Sequence, residues 1–311
     1  MNLAFTELIQ RYDHYFIDLW GVIWDGETVF HESVAFVREL RRADKHVLFL
    51  SNSAEFPVED LIDRLRRAGL PDADESWMAT SGQAMDLWFR QNGLSGKPVY
   101  VFGGPGVVEN VRRAGSTPLE LPEDGLSLAE SAESDTVVLG GCLNFDWSRM
   151  SEVCTAVRAG RLRVILPNPD YIILSNDGRV KMPPGMIAHI LERALPGLEV
   201  ERIGKPWPFI YDFALEKAGA TERRNRVLMI GDSLETDIRG AQTAGIHSLL
   251  VHHGVHAGDS VESIQGIADE LGFHPDYFTT GLSPSARFEI LDWKTDSKRR
   301  TTNPKITGDP K

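Results

Sequence analysis

Three short apolar runs, each ending on polar residues, constrain this chain more than any other feature. Tyr15-Phe16-Ile17 stops on Asp18, and Leu19-Trp20-Gly21 follows. His46-Val47-Leu48-Phe49-Leu50 runs into Ser51-Asn52-Ser53, and Arg226-Val227-Leu228-Met229-Ile230 runs into Gly231-Asp232-Ser233. Such runs are too short for a helix and suit buried strands. An unpaired carboxylate is costly inside a central strand. One placed where the strand stops points instead to a metal ion or an electrophile at that end. If the three runs lie parallel in one sheet, their polar ends share one edge, where open α/β sheets bind ligands.

The segments between the runs support that arrangement. Val34, Phe36, Val37 and Leu40 fall on one face of a helix expected over 33–43, so the first two strands form a parallel, right-handed crossover unit. Pro57 opens a helix over 58–68 that Gly69 closes. Residues 81–182 then carry a second set of elements. These are a helix over 83–91, strands over 99–102, 136–139 and 163–166, the turn Gly103-Gly104-Pro105-Gly106 into a helix, and a further helix near 150–159. The last of these strands ends on Pro167-Asn168-Pro169-Asp170, and Asn176-Asp177-Gly178 marks a turn. A helix from Pro183-Pro184-Gly185 to Ala194 is expected to return the chain to the first domain. Gly204-Lys205-Pro206 precedes a helix over 208–218, and a strand over 247–251 follows the loop that carries Asp232 and Asp237. The expected class is therefore α/β: a doubly wound parallel-sheet core from 1–80 and 183–293, with an inserted α/β cap from 81–182. The polar tail, 294–311, is expected to be disordered.

Composition narrows the partners. The 311 residues carry a net charge of −12, which argues against nucleic acid and anionic membranes. An anionic substrate would then be met by a local cation, a metal or helix N-termini. Two cysteines, Cys142 and Cys154, lack metal or redox spacing and read as small apolar residues in a reducing compartment. Residues 1–11 lack a signal-peptide layout, and no apolar run approaches the roughly 20 residues of a membrane span. The expected location is cytoplasmic.

The order of Asp18, Ser51, Gly204-Lys205-Pro206 and Gly231-Asp232 with Asp237 resembles the haloacid dehalogenase (HAD) superfamily of phosphohydrolases. The insertion between the second and third motifs, with Asn168-Pro169-Asp170 and Pro184-Gly185, resembles its subfamily IIA, the NagD-like phosphatases with an α/β (type 2) cap. The resemblance implies an aspartyl-phosphate formed on Asp18, with Lys205 neutralising charge and Ser51 hydrogen-bonding a phosphoryl oxygen. It implies Mg²⁺ held by Asp18, the Trp20 backbone carbonyl, Asp232 and Asp237, the last of these acting through water or by orienting Lys205. Asn52, Ser53, Asn168 and Asp170 are the expected substrate-side residues.

One position departs from the pattern. Relatives carry an acid–base Asp two residues after the nucleophile, and here that residue is Trp20. Asp25 is the candidate replacement, against its simpler reading as a turn residue in Trp24-Asp25-Gly26. Gly103–Gly106 reads as a tight cap turn or a phosphate cradle. His252, His253 and His256 read as rim residues facing substrate or solvent. Cys142 stands where relatives often carry an Asp, so their specificity does not transfer. The expectation is Mg²⁺-dependent hydrolysis of a small phosphorylated metabolite, such as a sugar phosphate, nucleotide or pyridoxal phosphate, with a homodimer through the cap. The rivals are a phospho-ligand sensor of the same fold, kept open by Trp20, and a phosphotransferase.

Overall fold

The computed structural model describes residues 2–26, 28–120, 133–140, 147–159, 162–174 and 180–290. Cys142, the expected turn at 176–178 and the tail 294–311 lie outside the described residues. No helix among the described residues is long and apolar enough to cross a membrane.

The core is an eight-stranded sheet. Its order is Asn2–Ala4, Arg287–Glu289, Tyr277–Thr279, His247–Val251, Val227–Gly231, His14–Ile17, His46–Ser51 and Met78–Thr80. The last six are parallel, and the first two join antiparallel at one edge. Strand periodicity explains why helices cover both faces. Tyr15, Ile17, Val47, Phe49, Leu228 and Ile230 project into one apolar cluster, which the helices His31–Arg42 and Val58–Arg67 complete. Phe16, Leu48, Leu50, Val227 and Met229 project into the other, beneath Ser81–Gln91 and Pro208–Lys217. The protein is thus doubly wound.

The cap is a second parallel sheet of five strands, ordered Val200–Arg202, Arg163–Leu166, Thr136–Leu139, Pro98–Phe102 and Thr117–Glu120. This corrects the expected boundary at 182/183. The helix Pro184–Ala194 buries Ile187, Ala188 and Leu191 against cap strands, and Val200 pairs with Val164. The physical reason is the crossover rule: a helix following one parallel strand packs on that sheet and delivers its neighbour. The chain re-enters the core at Ile203, whose side chain joins the second core cluster.

Core and cap share apolar contact. Val99, Val101, Val138 and Ile165 on one cap face belong to the same cluster as Phe16 and Leu48 of the core, bridged by Met85, Trp88 and Phe89. The helix Ser81–Gln91 is started by a capping box between Thr80 and Gln83. Gly103–Gly106 is a packing turn of this junction. A Cβ at Gly106 would lie 1.7 Å from the Glu55 carbonyl oxygen, and Asn110 Nδ2 donates to the Ala54 carbonyl at 2.8 Å. The turn lies outside the cavity described below. Gly106→Ala is expected to destabilise the protein by about 1–3 kcal/mol through overpacking. A denaturation midpoint matching wild type would show that this junction yields freely.

Candidate active site

The in-register ends of three strands assemble the site. Ile17 pairs with both Phe49 and Ile230, so Asp18, Ser51 and Asp232 emerge on one edge. The Asp18 N–H donates to the Ile230 carbonyl at 2.9 Å, which extends the ladder up to the carboxylate. Lys205 comes from the cap-to-core connection and is 2% exposed. Its Nζ lies 2.8 Å from Asp18 Oδ1 and 2.6 Å from Asp237 Oδ1.

Asp237 is completely buried. Its Oδ2 accepts the Ser233 N–H at 3.1 Å, and its carbonyl accepts the Tyr211 hydroxyl at 3.1 Å. Both carboxylate oxygens are therefore engaged, in a geometry suited to orienting Lys205. Asp232 Oδ2 accepts the Val255 N–H at 2.8 Å. Glycine is required around Asp232, because a Cβ at Gly21 (φ +79°) or Gly254 (φ +51°) would stand 2.2 or 1.9 Å from Asp232 Oδ2.

The charges do not balance within the protein. Asp18, Asp232 and Asp237 bring carboxylate oxygens within 4.8 Å of one another, and Lys205 is the ammonium that contacts two of them. Burial pushes the Asp18 carboxyl up to about 7; Asp237 adds to the shift and Lys205 opposes it. Burial, then Asp18 and Asp237, push Asp232 well above the usual carboxylate range. Burial alone would lower Lys205, but Asp18 and Asp237 hold its ammonium protonated well above the ordinary lysine range. Three buried carboxylates with one ammonium form a donor set that fits a hard divalent cation.

Beside this cluster, between core and cap, lies a cavity of about 820 Å³. Asp18, Trp20, Ser51, Asn52, Ser53, Asn168, Asp170, Lys205 and Asp232 all line it. Ser51 Oγ accepts the Ser53 N–H at 3.3 Å, while the Ser53 hydroxyl oxygen is buried and has no partner among the described residues. A buried hydroxyl without a partner, on a residue that lines the cavity, is a candidate for a ligand oxygen. Asn52 and Asp170 have a further job. Asn52 Oδ1 accepts the Lys205 N–H at 2.6 Å, and its Nδ2 donates to the Lys205 carbonyl at 3.0 Å and to Asp170 Oδ1 at 2.7 Å. The Asp170 N–H in turn donates to Asn168 Oδ1 at 3.0 Å. This network ties the cap loop to the segment that aims Lys205. Burial pushes the Asp170 carboxyl up to about 6.

Asp25 is not brought to the cavity. It is 7% exposed, and its backbone pairs with Thr28 in the two-stranded ribbon Trp24–Asp25/Thr28–Val29. Arg64 lies 4.3 Å above the Trp24 ring and donates to the Gly26 carbonyl, bracing this ribbon. Asp25 is not among the lining residues, while Trp20, two residues past the expected nucleophile, stays half-buried in the cavity wall.

Three groups of lining residues escaped the sequence reading or were read only as rim: Tyr171–Ile173 with Met182 on the cap, Phe56 and Leu234 on the core, and His256 with Asp259. Phe56, Tyr171, Ile172 and Met182 are exposed apolar residues outside any amphipathic period, so no pattern marks them. Only the histidine cluster offered a signal, and His256 proves to be buried rather than at an open rim.

Comparison with known proteins identifies the family and the fold. A family described as haloacid dehalogenase-like hydrolase matches residues 15–117, and one described as HAD-hydrolase-like matches residues 202–283. Phosphoglycolate phosphatase 2 of Arabidopsis thaliana is 30% identical over 295 residues, covering 90% of this chain and 94% of that protein. The p-nitrophenyl phosphatase of Archaeoglobus fulgidus superposes with a TM-score of 0.73 at 26% identity, covering 88% of this chain and 97% of the other. A glycerol phosphate phosphatase of Mycobacterium tuberculosis, solved in complex with magnesium, superposes with a TM-score of 0.72 at 25% identity, covering 90% and 78%. Asp18 and Ser51 fall in the first family match, and Lys205, Asp232 and Asp237 in the second.

Proposed function

Because the chain belongs to the haloacid dehalogenase-like hydrolases and is a phosphatase-type enzyme, we propose that it hydrolyses a small phosphate monoester in a Mg²⁺-dependent reaction with Asp18 as nucleophile. The observation that carries this reading is the Lys205 ammonium bridging Asp18 and Asp237 beside Asp232, at the floor of the cavity. Asp18, Asp232 and the Trp20 carbonyl would hold Mg²⁺, which supplies charge neutralisation at the phosphoryl oxygens.

The chain's own residues do the rest. Lys205 opposes the protonation of Asp18 that burial favours and faces the charge that builds on the phosphoryl group, so little reorganisation is needed during transfer. Ser51 and Ser53 offer hydroxyls to phosphoryl oxygens. An Asp18 oxygen attacks phosphorus, the bond to the leaving oxygen breaks, and the resulting aspartyl-phosphate is then hydrolysed. The cap excludes bulk water over the reacting atoms.

The cavity wall also bears on the substrate. Tyr171, Ile172 and Met182 present exposed apolar surface to it. Among the described lining residues Lys205 is the only lysine or arginine, and it is committed to the carboxylates. A substrate with a second anion, such as the carboxylate of phosphoglycolate, finds no further lysine or arginine among the described lining residues. A monoester whose organic part is uncharged and partly apolar fits better. Trp20 favours the second reading, a phospho-ligand sensor that turns over negligibly.

Phosphate release from a panel of monoesters, with Mg²⁺ and with EDTA, separates the two. Release that requires Mg²⁺ supports hydrolysis, while stoichiometric binding of phosphoesters without release supports the sensor. For the metal, Asp232→Asn is expected to weaken Mg²⁺ binding by about 100-fold or more. Unchanged affinity by calorimetry would remove Asp232 from the site.

A further inference from the structure

Trp20 leaves the proposed reaction without the carboxylic acid that would protonate the leaving group and later activate water. A histidine–carboxylate pair stands in the same cavity. His256 is 6% exposed and lines the cavity together with Asp259. Its Nδ1 lies 2.8 Å from Asp259 Oδ2, and the Asp259 N–H donates back to the His256 carbonyl at 3.0 Å. His252 Nε2 holds the Asp259 carbonyl at 2.8 Å. The pair is tied to the reaction centre through its own backbone, because the residue before His256, Val255, donates its N–H to Asp232 Oδ2. The cap strand Ile173–Leu174 contacts the turn Gly254–His256. A carboxylate on Nδ1 fixes the tautomer and orientation of an imidazole and leaves Nε2 as the nitrogen for proton transfer. The titratable groups around it are Asp259, His252 and His253 on its own segment and Asp232 and Glu235 on the neighbouring loop, and Asp18 and Lys205 line the same cavity.

We infer that His256, oriented by Asp259, is the general acid–base of this enzyme in place of the residue lost at Trp20. The inference rests on the phosphatase reading above. In the first step Asp18 attacks phosphorus, the P–O bond to the leaving group breaks with its electron pair on oxygen, and that oxygen takes the proton from Nε2. In the second, a water oxygen attacks the aspartyl-phosphate and gives its proton to neutral Nε2. The P–O bond to Asp18 breaks, and its electron pair returns to the carboxylate. His256 is a catalytic residue in this scheme, and Asp259 is a positioning residue.

The test compares wild type, His256→Gln and Asp259→Asn on alkyl phosphates and on nitrophenyl phosphate with Mg²⁺, with Mg²⁺ affinity measured for each. In wild type both substrate classes are expected to turn over, with a linear time course. His256→Gln is expected to lose about 10²–10⁴-fold on alkyl esters, to retain its first turnover on nitrophenyl phosphate, and to show a nitrophenolate burst equal to enzyme concentration. Added imidazole should speed the phase after the burst, and Mg²⁺ affinity should be unchanged. Asp259→Asn should show the same leaving-group bias more weakly. Equal losses on both ester classes, or none, with no burst and no imidazole effect, overturn the role of His256 while wild-type phosphate release leaves the phosphatase reading standing. Wild type that releases no phosphate overturns both. If His256→Gln does not fold, Asp259→Asn decides: an unchanged alkyl-to-aryl ratio in that variant overturns the inference.

Discussion

Asp18→Asn is expected to lower phosphate release by about 10⁴-fold or more, the scale of losing a covalent nucleophile. An amide oxygen cannot carry the phosphoryl group through the same intermediate, and nothing else at this strand end can take over. The loss should come without unfolding. The Asp18 carboxyl, pushed up to about 7 by burial, holds its proton more tightly in the folded chain than in the unfolded one, where its value is about 3.9. The folded state therefore binds more protons between those values, so this group costs the metal-free wild type stability as pH rises from about 4 to about 7. Asn does not titrate. The metal-free variant should melt at or above wild type at pH 8, and the gap should close toward pH 4. Residual activity within tenfold of wild type, with Mg²⁺ binding intact, would assign the nucleophile elsewhere.

Lys205→Met should cost stability as well as activity. The ammonium is 2% exposed and contacts both Asp18 and Asp237, so removing it leaves buried carboxylates facing one another without a counter-charge. Breaking a buried pair in this way costs about 3–5 kcal/mol, and methionine of similar length leaves little cavity to blur the comparison. The melting temperature should fall by on the order of 10 °C. Mg²⁺ should recover part of it, since a cation that binds only the folded state stabilises that state by mass action. A variant that melts like wild type in EDTA would mean that the carboxylates are already neutral, and the charge argument for a metal would fail with it.

Asp18, Ser51 and Asp232 were legible because each follows an apolar run of strand length, and the unbroken apolar character of those runs is a local property of the chain. The same logic located the helices, whose apolar faces recur every three or four residues. The end of the cap was not legible. Val200-Glu201-Arg202 holds a single apolar residue, and only pairing with Val164–Leu166 makes it a strand. Asp25 looked close to the reaction centre because it is seven residues from Asp18. Its backbone pairs in a two-stranded ribbon and it is not among the residues that line the cavity, which sequence distance cannot show.

The sequence by itself thus determined the doubly wound core, the presence of an inserted cap and the residues at the floor of the site, because apolar period, turn residues and strand-end carboxylates act over a few neighbours. The tertiary structure decided how those residues are aimed. Asn52 reaches Asp170 across 118 positions and Lys205 across 153. Val255 closes on Asp232 and so brings His256 and Asp259 to the cavity. Such contacts depend on sheet register and on two domains closing over one edge, and no local propensity records the register of strands that are distant along the chain.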